Sequence, residues 1–246
     1  FNLPVNQNKL IEAILEANQN TIVILNTGSP IHMPWAHKAS AIVQTWFAGQ
    51  EFGNALVDIL FGEVNPSGKL ATTFPAKIED TPAYQFYPGI DLQMNYHEKL
   101  LVGYRWYEKK LIKPLFCFGH GLSYTNFKYQ NLEVSLRKDF IVSCRFEVKN
   151  IGNILGQEIA QCYVGYTNPL ADEPCKTLQG FMKAEIKANE VKNFEIQLGP
   201  RNFSYWSVEA NAWKIKGGAY KILIGSSSED IYLETTINLE QALEVL

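Results

Sequence analysis

The chain has 246 residues, of which 46% are hydrophobic and 19% are charged, and this length allows one large domain or two ordinary ones. Its formal net charge of −3 argues against nucleic acid as the main partner, because phosphate binding needs a basic surface. No apolar run approaches the roughly 20 residues of a transmembrane helix, and no basic amphipathic stretch suits a membrane surface, so no membrane partner is predicted.

The first quarter of the chain alternates helical and strand-like patterns. Residues 6–17 carry apolar side chains at helical spacing, and residues 21–25 form a short β-branched run that suits a strand buried on both faces of a parallel sheet. Residues 41–46 predict a second strand, and residues 51–61 predict a second helix. This alternation indicates an α/β layered domain whose helices cover a mostly parallel sheet.

The character of the sequence changes over residues 62–123, where prolines and glycines break up any long element and aromatic residues are dense. A long aromatic segment of this kind is expected to wrap over another part of the molecule. Within it, the opposite charges of Glu98 and Arg105 suggest an ion pair that would pin the loop onto the sheet.

Short strand-like runs recur from Tyr124 onward, at residues 141–148, 159–164, 194–198 and 220–224, with turn-rich stretches between them. This pattern is typical of a β-sandwich of the immunoglobulin or fibronectin type. We therefore predict an α/β domain over residues 1–123 and an all-β domain over residues 124–246, with the boundary near residues 123–131.

The cysteines and histidines give no prediction of a metal or a cofactor. None of the four cysteines lies in a C-x-x-C pair, and their spacing leaves disulfide pairing open. Cys144 and Cys162 lie in strand-like runs and are interpreted as buried small apolar residues. His120 is interpreted as a structural histidine, with no metal partner recognised near it in sequence.

Asn202 begins an N-glycosylation motif that would be used only on a secretory route.

Collinear motifs along nearly the whole chain resemble the family 3 glycoside hydrolases. In the first half they are Leu3-Pro4, NTGSPIHMPW (26–35), GQEFGNA (49–55), LFGEVNPSGKL (60–70), VGYRWY (102–107) and FGHGLSYT (118–125). In the second half, VKNIG (148–152) and GSSSEDI (225–231) resemble the fibronectin type III-like module that often ends these enzymes. The resemblance implies part of a three-layer α/β/α sandwich followed by a fibronectin type III-like β-sandwich.

The resemblance also implies where the chemistry resides. Members of the family are retaining enzymes, which need two carboxyl groups about 5 Å apart. The family's nucleophile is an aspartate on an N-terminal (β/α)-barrel, and its acid/base is often a glutamate shortly before the match to Leu3-Pro4. Both positions would precede Phe1, whose surroundings lack an initiator Met and a signal peptide, so we expect a chain interrupted in mid-protein. No catalytic residue is assigned here.

Three residues of the aromatic segment are candidates for the rim of a sugar pocket, namely Tyr96, His97 and Glu98. The segment resembles a Tyr-x-Glu-Gly run of the family, except that Lys99 stands where glycine is usual. Aromatic stacking combined with polar hydrogen bonding suits a sugar. The turn over residues 65–69 and the residues around Glu51 are interpreted as architecture.

The expected function is a portion of a β-glucosidase-like exo-glycosidase that hydrolyses terminal β-linked sugars. Its expected partners are a β-linked glucoside or oligosaccharide and an N-terminal barrel on the same or another chain, and further copies of the chain are also candidates. The alternative is a non-catalytic carbohydrate-binding, scaffolding or storage protein with the same fold. The resemblance favours a secreted, periplasmic, lysosomal or vacuolar location.

Overall fold

The computed structural model describes residues 1–89, 91, 93–239 and 243–245. Its helices are α1 (Gln7–Ala17), α2 (Phe52–Leu60) and α3 (Tyr104–Lys110). Its strands are β1 (Ile22–Leu25), β2 (Ala41–Gln44), β3 (Phe127–Leu136), β4 (Val142–Asn150), β5 (Gly156–Tyr166), β6 (Thr177–Ile186), β7 (Val191–Leu198), β8 (Ser204–Ser207), β9 (Ala212–Ile215), β10 (Gly218–Gly225), β11 (Ile231–Leu239) and β12 (Leu243–Val245). None of the described helices combines the length and the apolarity of a membrane span.

The first part of the chain has the predicted α/β character. Strands β1 and β2 pair in parallel, with Ile22 opposite Ala41, and the helices α1 and α2 fall within one residue of their predicted ranges. Strand β2 ends at Gln44, two residues earlier than predicted, and Trp46 takes a left-handed φ of 54° that a strand cannot continue. The small core gathers around the fully buried Trp35.

Strand β1 is buried on one face, which corrects the prediction of burial on both faces. Val23 and Leu25 point into the core, whereas Ile22 is 48% exposed and Ile24 is 38% exposed. The strands of a parallel sheet normally have both faces covered. In the part of the chain that the structure describes, β1 pairs with β2 alone, and its second face stays open to solvent.

The second part is the predicted β-sandwich. A three-stranded sheet in the order β3-β4-β7 packs against a four-stranded sheet in the order β11-β10-β5-β6, and both are antiparallel. Inward side chains alternate along the strands, as in the edge strand β7, where Phe194, Ile196 and Leu198 are buried and their neighbours are exposed. Cys144 and Cys162 are both fully buried in this core, which confirms their interpretation. All four cysteines are free thiols.

Strand β5 joins the two parts of the molecule because both of its faces are covered. Its even-numbered residues, such as Cys162, enter the sandwich core, while Gln161 and Tyr163 point the other way and are also buried. The ring of Tyr163 lies 5.8 Å from the ring of Tyr104 on α3. The outer face of β5 is therefore the surface onto which the end of the first part packs.

The aromatic segment wraps over the sandwich, as expected from its composition. It includes one helix that the sequence reading missed, α3, whose Tyr104 hydroxyl accepts a hydrogen bond from the Leu178 amide at 2.8 Å. Residues Phe74 and Phe116 form a backbone bridge that holds the two ends of the segment together. This arrangement places the end of the segment, residues 117–120, against the loop between β10 and β11.

Candidate functional site

The three predicted rim residues lie next to one another at the surface, just before α3. Tyr96 is 72% exposed, His97 packs its ring 4.1 Å from that of Phe86, and Glu98 is half-buried. The backbone turns here, with the Lys99 amide donating to the Tyr96 carbonyl at 3.2 Å and the Leu101 amide to the Glu98 carbonyl at 2.8 Å. The turn presents two polar groups beside an exposed aromatic ring.

Lys99, which replaces the glycine usual in this run, keeps a backbone conformation that suits glycine. Its φ is 50°, in the left-handed region that side chains with a Cβ disfavour. Its ammonium lies 3.0 Å from the carboxylate of Asp172, in the loop between β5 and β6, and holds the pKa of that exposed carboxyl below its usual range. The substitution therefore preserves the turn and adds an ion pair to the sandwich.

The expected pairing of Glu98 with Arg105 is wrong. Arg105 lies at the start of α3 with its guanidinium carbon 5.8 Å from the centre of the Tyr104 ring, and its buried Nε has no hydrogen-bond partner among the described residues. The helix turns Arg105 toward the aromatic interior, whereas Glu98 stays in the preceding turn. It is Lys99 rather than Arg105 that pins the loop.

A cavity of about 300 Å³ opens between α3 and the sandwich. Glu108 and Lys176 line it as an ion pair, with the Lys176 side chain only 10% exposed. Burial raises the pKa of Tyr107, also in the lining, to about 12. Thr73 Oγ1 and Glu108 Oε2 are buried here without a hydrogen-bond partner in the described chain. None of the three rim residues lines this cavity.

The turn over residues 65–69 carries a buried polar network. Lys69 Nζ lies 3.6 Å from Glu158 Oε1 and donates to the Gly121 carbonyl at 3.2 Å, and the Tyr129 hydroxyl donates to Glu158 at 2.8 Å. Burial raises the pKa of Glu158, while Lys69 and Tyr129 oppose the rise. Asn65 accepts from the Tyr124 amide at 2.8 Å and donates to the Leu155 carbonyl at 2.9 Å. The motif therefore joins the two parts of the molecule.

Asn202, the predicted glycosylation acceptor, uses its side chain within the fold. Its amide nitrogen donates to the carbonyl and side-chain oxygens of Gln179 at 3.1 and 3.0 Å, and its amide oxygen accepts from the Gly199 amide at 2.8 Å. A glycan on that nitrogen would remove one of its two hydrogens and one of these bonds. Use of the motif stays a prediction.

One group of side chains in the described chain could hold a metal ion. Cys117, His120 and Asp230 each offer one ligand atom, and these atoms all lie within 4.8 Å of one another. The Cys117-x-x-His120 spacing is visible in the sequence, although no metal site was predicted from it. Asp230 could not be predicted, because only the fold brings the β10–β11 loop to this position.

Comparisons with known proteins agree with this fold. A family profile described as "Glycosyl hydrolase family 3 C-terminal domain" matches residues 1–124, and one described as "Fibronectin type III-like domain" matches residues 158–228. The chain is 43% identical to thermostable β-glucosidase B of Acetivibrio thermocellus, covering 100% of this chain and 33% of that protein. The chain thus spans about a third of the length of the curated relatives it matches.

Solved structures give the same assignment. The crystal structure of β-glucosidase from Kluyveromyces marxianus in complex with glucose matches with a TM-score of 0.94 and 36% identity, over 99% of this chain and 30% of that one. DesR, a β-glucosidase from Streptomyces venezuelae in complex with D-glucose, matches with a TM-score of 0.92 and 40% identity, over 97% and 31%. The chain belongs to glycoside hydrolase family 3, with the family's C-terminal domain followed by a fibronectin type III-like domain.

Proposed function

We propose that this chain is the C-terminal portion of a retaining β-glucosidase-like enzyme that removes terminal β-linked sugars. The observation that carries the proposal is the match of the whole chain, at 43% identity, to about a third of thermostable β-glucosidase B of Acetivibrio thermocellus. Two of the matched structures, from Kluyveromyces marxianus and Streptomyces venezuelae, are complexes with glucose. We propose a terminal β-glucoside as the substrate class.

The catalytic carboxylates belong, in this proposal, to a barrel and a loop that precede Phe1. Two acids of this chain support that placement of the catalytic groups, because each already faces a lysine: buried Glu158 is paired with Lys69 and Tyr129, and half-buried Glu108 is paired with Lys176 through one of its oxygens. A retaining glycosidase needs one carboxylate free to attack carbon and a second free to exchange protons. The open face of β1 supports a further layer of protein against this domain.

The contribution of this chain to the active site is the surface formed by Tyr96, His97 and Glu98. An exposed tyrosine ring offers a stacking face to a sugar, and Glu98 offers an oxygen acceptor for sugar hydroxyls. Lys99 and Asp172 tie this turn to the β-sandwich. The fibronectin-like module would thereby hold the rim in position while taking no part in bond cleavage.

A substitution pair tests the rim in a protein that carries this chain after the proposed barrel. Glu98→Gln removes the charge of the acceptor, and Tyr96→Ala removes the stacking face. We expect each to lower kcat/KM for an aryl β-glucoside by about 10-fold or more, the size of losing one charge-assisted hydrogen bond or one stacking contact. Glu12→Gln and Tyr205→Phe are matched controls, since α1 and β8 lie apart from this turn. Unchanged kinetics in both rim variants would remove the rim from the proposal.

The placement of the catalytic groups has a separate test. The 246 residues alone are expected to leave an aryl β-glucoside intact, whereas the longer protein cleaves it with retention of configuration. Hydrolysis by the 246-residue chain would show that its own carboxylates act, and the proposal would fail. Binding of glucose measured by calorimetry without cleavage by the longer protein would support the non-catalytic carbohydrate-binding alternative.

A further inference from the structure

We propose that Cys117, His120 and Asp230 form a binding site for a zinc-type divalent metal ion that fastens the end of the α/β domain to the β-sandwich. Two of the residues come from a turn at the end of the aromatic segment, and the third comes from the loop between β10 and β11. The ion would add coordinate bonds to the backbone hydrogen bond that already joins these loops.

The turn that carries Cys117 and His120 has the shape that brings two ligands together. The His120 amide donates to the Cys117 carbonyl at 3.2 Å, and Gly119 takes a φ of 83° that closes the turn. The first and last residues of such a turn lie side by side, which is how paired Cys and His ligands are presented in structural zinc sites. The Phe116 ring stacks 5.3 Å from the His120 ring and supports its orientation.

Asp230 is held against this turn by its own loop. The Ser227 hydroxyl donates to Asp230 Oδ2 at 2.8 Å, and the Ser226 amide donates to the Asp230 carbonyl at 3.0 Å. The Ser228 amide donates to the Phe118 carbonyl at 2.9 Å, so the two loops are already docked. A ligating carboxylate that is hydrogen-bonded from behind is the usual arrangement in metal sites.

The three ligand atoms converge on one point, which distinguishes a metal site from a Cys-His-Asp catalytic triad. In a triad the imidazole stands between the thiol and the carboxylate, so the sulfur and the carboxylate oxygen lie on opposite sides of the ring. Here the sulfur, the nitrogen and the oxygen are all within 4.8 Å of one another. Tetrahedral zinc with these bond lengths separates its ligands by roughly 3.5 Å, so the loops would close by about 1 Å on binding.

The chemistry of the donors and their charges suits zinc. A thiolate, an imidazole and a carboxylate are its common protein ligands, and water would complete the tetrahedron. The thiolate and the carboxylate together balance the two charges of the ion. Metal binding requires Cys117 as the thiolate and His120 as the neutral imidazole, so binding of the ion would release the thiol proton. Lys69, the cation near His120, is paired with Glu158.

Metal content of the protein at its natural length tests the site. The protein is stripped with a chelator under reducing conditions, reloaded with Zn²⁺ and desalted, and bound zinc is measured by mass spectrometry. We expect Cys117→Ser, His120→Asn and Asp230→Asn each to hold one equivalent less than the wild type. Cys175→Ser and His37→Asn are matched controls that keep the wild-type amount, because neither residue belongs to the cluster. Equal zinc in all six proteins would overturn the proposal.

Two further readouts can refute the proposal on the wild type alone, so they do not depend on how well a variant folds. Reloading the wild type with Co²⁺ is expected to give a thiolate-to-cobalt charge-transfer absorption that is absent from Cys117→Ser, and absence of this band from the wild type would refute thiolate ligation. Chelation of the wild type is expected to lower its melting temperature, and added Zn²⁺ is expected to restore it, since the ion joins two domains. A melting temperature that chelation and zinc leave unchanged would also refute the proposal.

Discussion

Lys99 adopts the left-handed backbone conformation that suits glycine, and it adds a charged side chain at that position. The left-handed φ of 50° costs a residue with a Cβ about 1 kcal/mol or more relative to glycine. The ammonium contact with Asp172 partly offsets that cost and attaches the turn to the sandwich. Backbone strain lowers the stability of the protein at this position, whereas the ion pair raises it.

Lys99→Gly and Lys99→Ala separate these two effects. Both lose the contact with Asp172, but only glycine relieves the backbone. We expect Lys99→Gly to be more stable than Lys99→Ala by about 1 kcal/mol in urea unfolding. Equal stability of the two variants would mean that the turn relaxes away from its left-handed conformation when the lysine is absent.

Lys69 stabilises the buried carboxylate of Glu158, and removal of the lysine is expected to be costly. Lys69→Met should lower the free energy of unfolding by about 3 kcal/mol at neutral pH, because it leaves the buried carboxylate without a positive charge and with only the Tyr129 hydroxyl as a partner. In a Glu158→Gln background the same change should cost much less, since no charge remains to be balanced. The double-mutant cycle measures the difference, and additive costs would contradict the coupling.

The pH dependence of Lys69→Met follows from the same pair. Burial raises the pKa of Glu158, and loss of Lys69 raises it further. A carboxyl whose pKa is higher in the folded than in the unfolded state favours folding at low pH and loses that contribution as pH rises through the folded value. The deficit of the variant should therefore be small near the ordinary pKa of 4.5 and grow toward neutral pH. A deficit that is constant with pH would exclude Glu158 as its source.

At the scale of elements, two signature turns fit together because the glycine at position 121 leaves no side chain between them. A Cβ built on Gly121 would lie 2.2 Å from the Gly68 carbonyl oxygen, so the chain segments 65–69 and 118–125 touch through backbone. We expect Gly121→Ala to destabilise the protein by about 1–3 kcal/mol, since backbone rather than a flexible side chain must move.

Gly53→Ala is the matched control for that substitution. Gly53 lies in α2, and a Cβ there meets nothing within 4 Å. Alanine favours a helix over glycine, so this change should add about 0.5–1 kcal/mol. Denaturant unfolding of both variants gives the comparison, and a neutral Gly121→Ala would show that the two turns are not in rigid contact.

The elements that the sequence predicted are those with a strong local period. Helices α1 and α2 have apolar stripes, and β4, β5, β7 and β10 have alternating or continuous apolar runs. Strands β3, β6, β8, β9, β11 and β12 and helix α3 were not predicted. In β3 and β6 only Tyr129 and Ile186 are buried and the other inward residues are partly exposed, while α3 is a seven-residue helix among prolines and glycines.

The candidate sites, like the helices and strands, could be predicted only where their residues lie close together in the sequence. Tyr96, His97 and Glu98 are contiguous, so a motif could nominate them from the sequence. The cluster of Cys117, His120 and Asp230 could be only half seen, because Cys117 and His120 share one turn while Asp230 arrives through the pairing of β10 with β11. A local pattern records a turn, whereas a contact between distant loops depends on the packing of the whole sandwich.

At the scale of the whole molecule, the α/β domain carries an apolar surface that the β-sandwich does not cover. Phe47 is 95% exposed and Phe61 is 80% exposed, and both Ile22 and Ile24 on β1 face solvent. Ile22 and Ile24 share one face of β1, and an apolar sheet face of this kind marks a surface that another protein layer covers. The proposed preceding barrel and the earlier strands of the sandwich domain would supply that layer.

Hydrogen exchange provides the test of this larger assembly. The proposed longer protein, which carries the chain after a barrel, would have a new strand beside β1 and a layer of protein over Ile22 and Ile24. Both would slow the local opening of β1. The backbone amides of residues 21–25 should therefore exchange at least about 10-fold more slowly than in the 246-residue chain. Strand β7 is the internal control, because its partner β4 and its core contacts lie within the sandwich and are the same in both proteins. Equal exchange at residues 21–25 in the two proteins would mean that the open face of β1 is a surface of the mature enzyme, and the proposed layer over it would have to lie elsewhere.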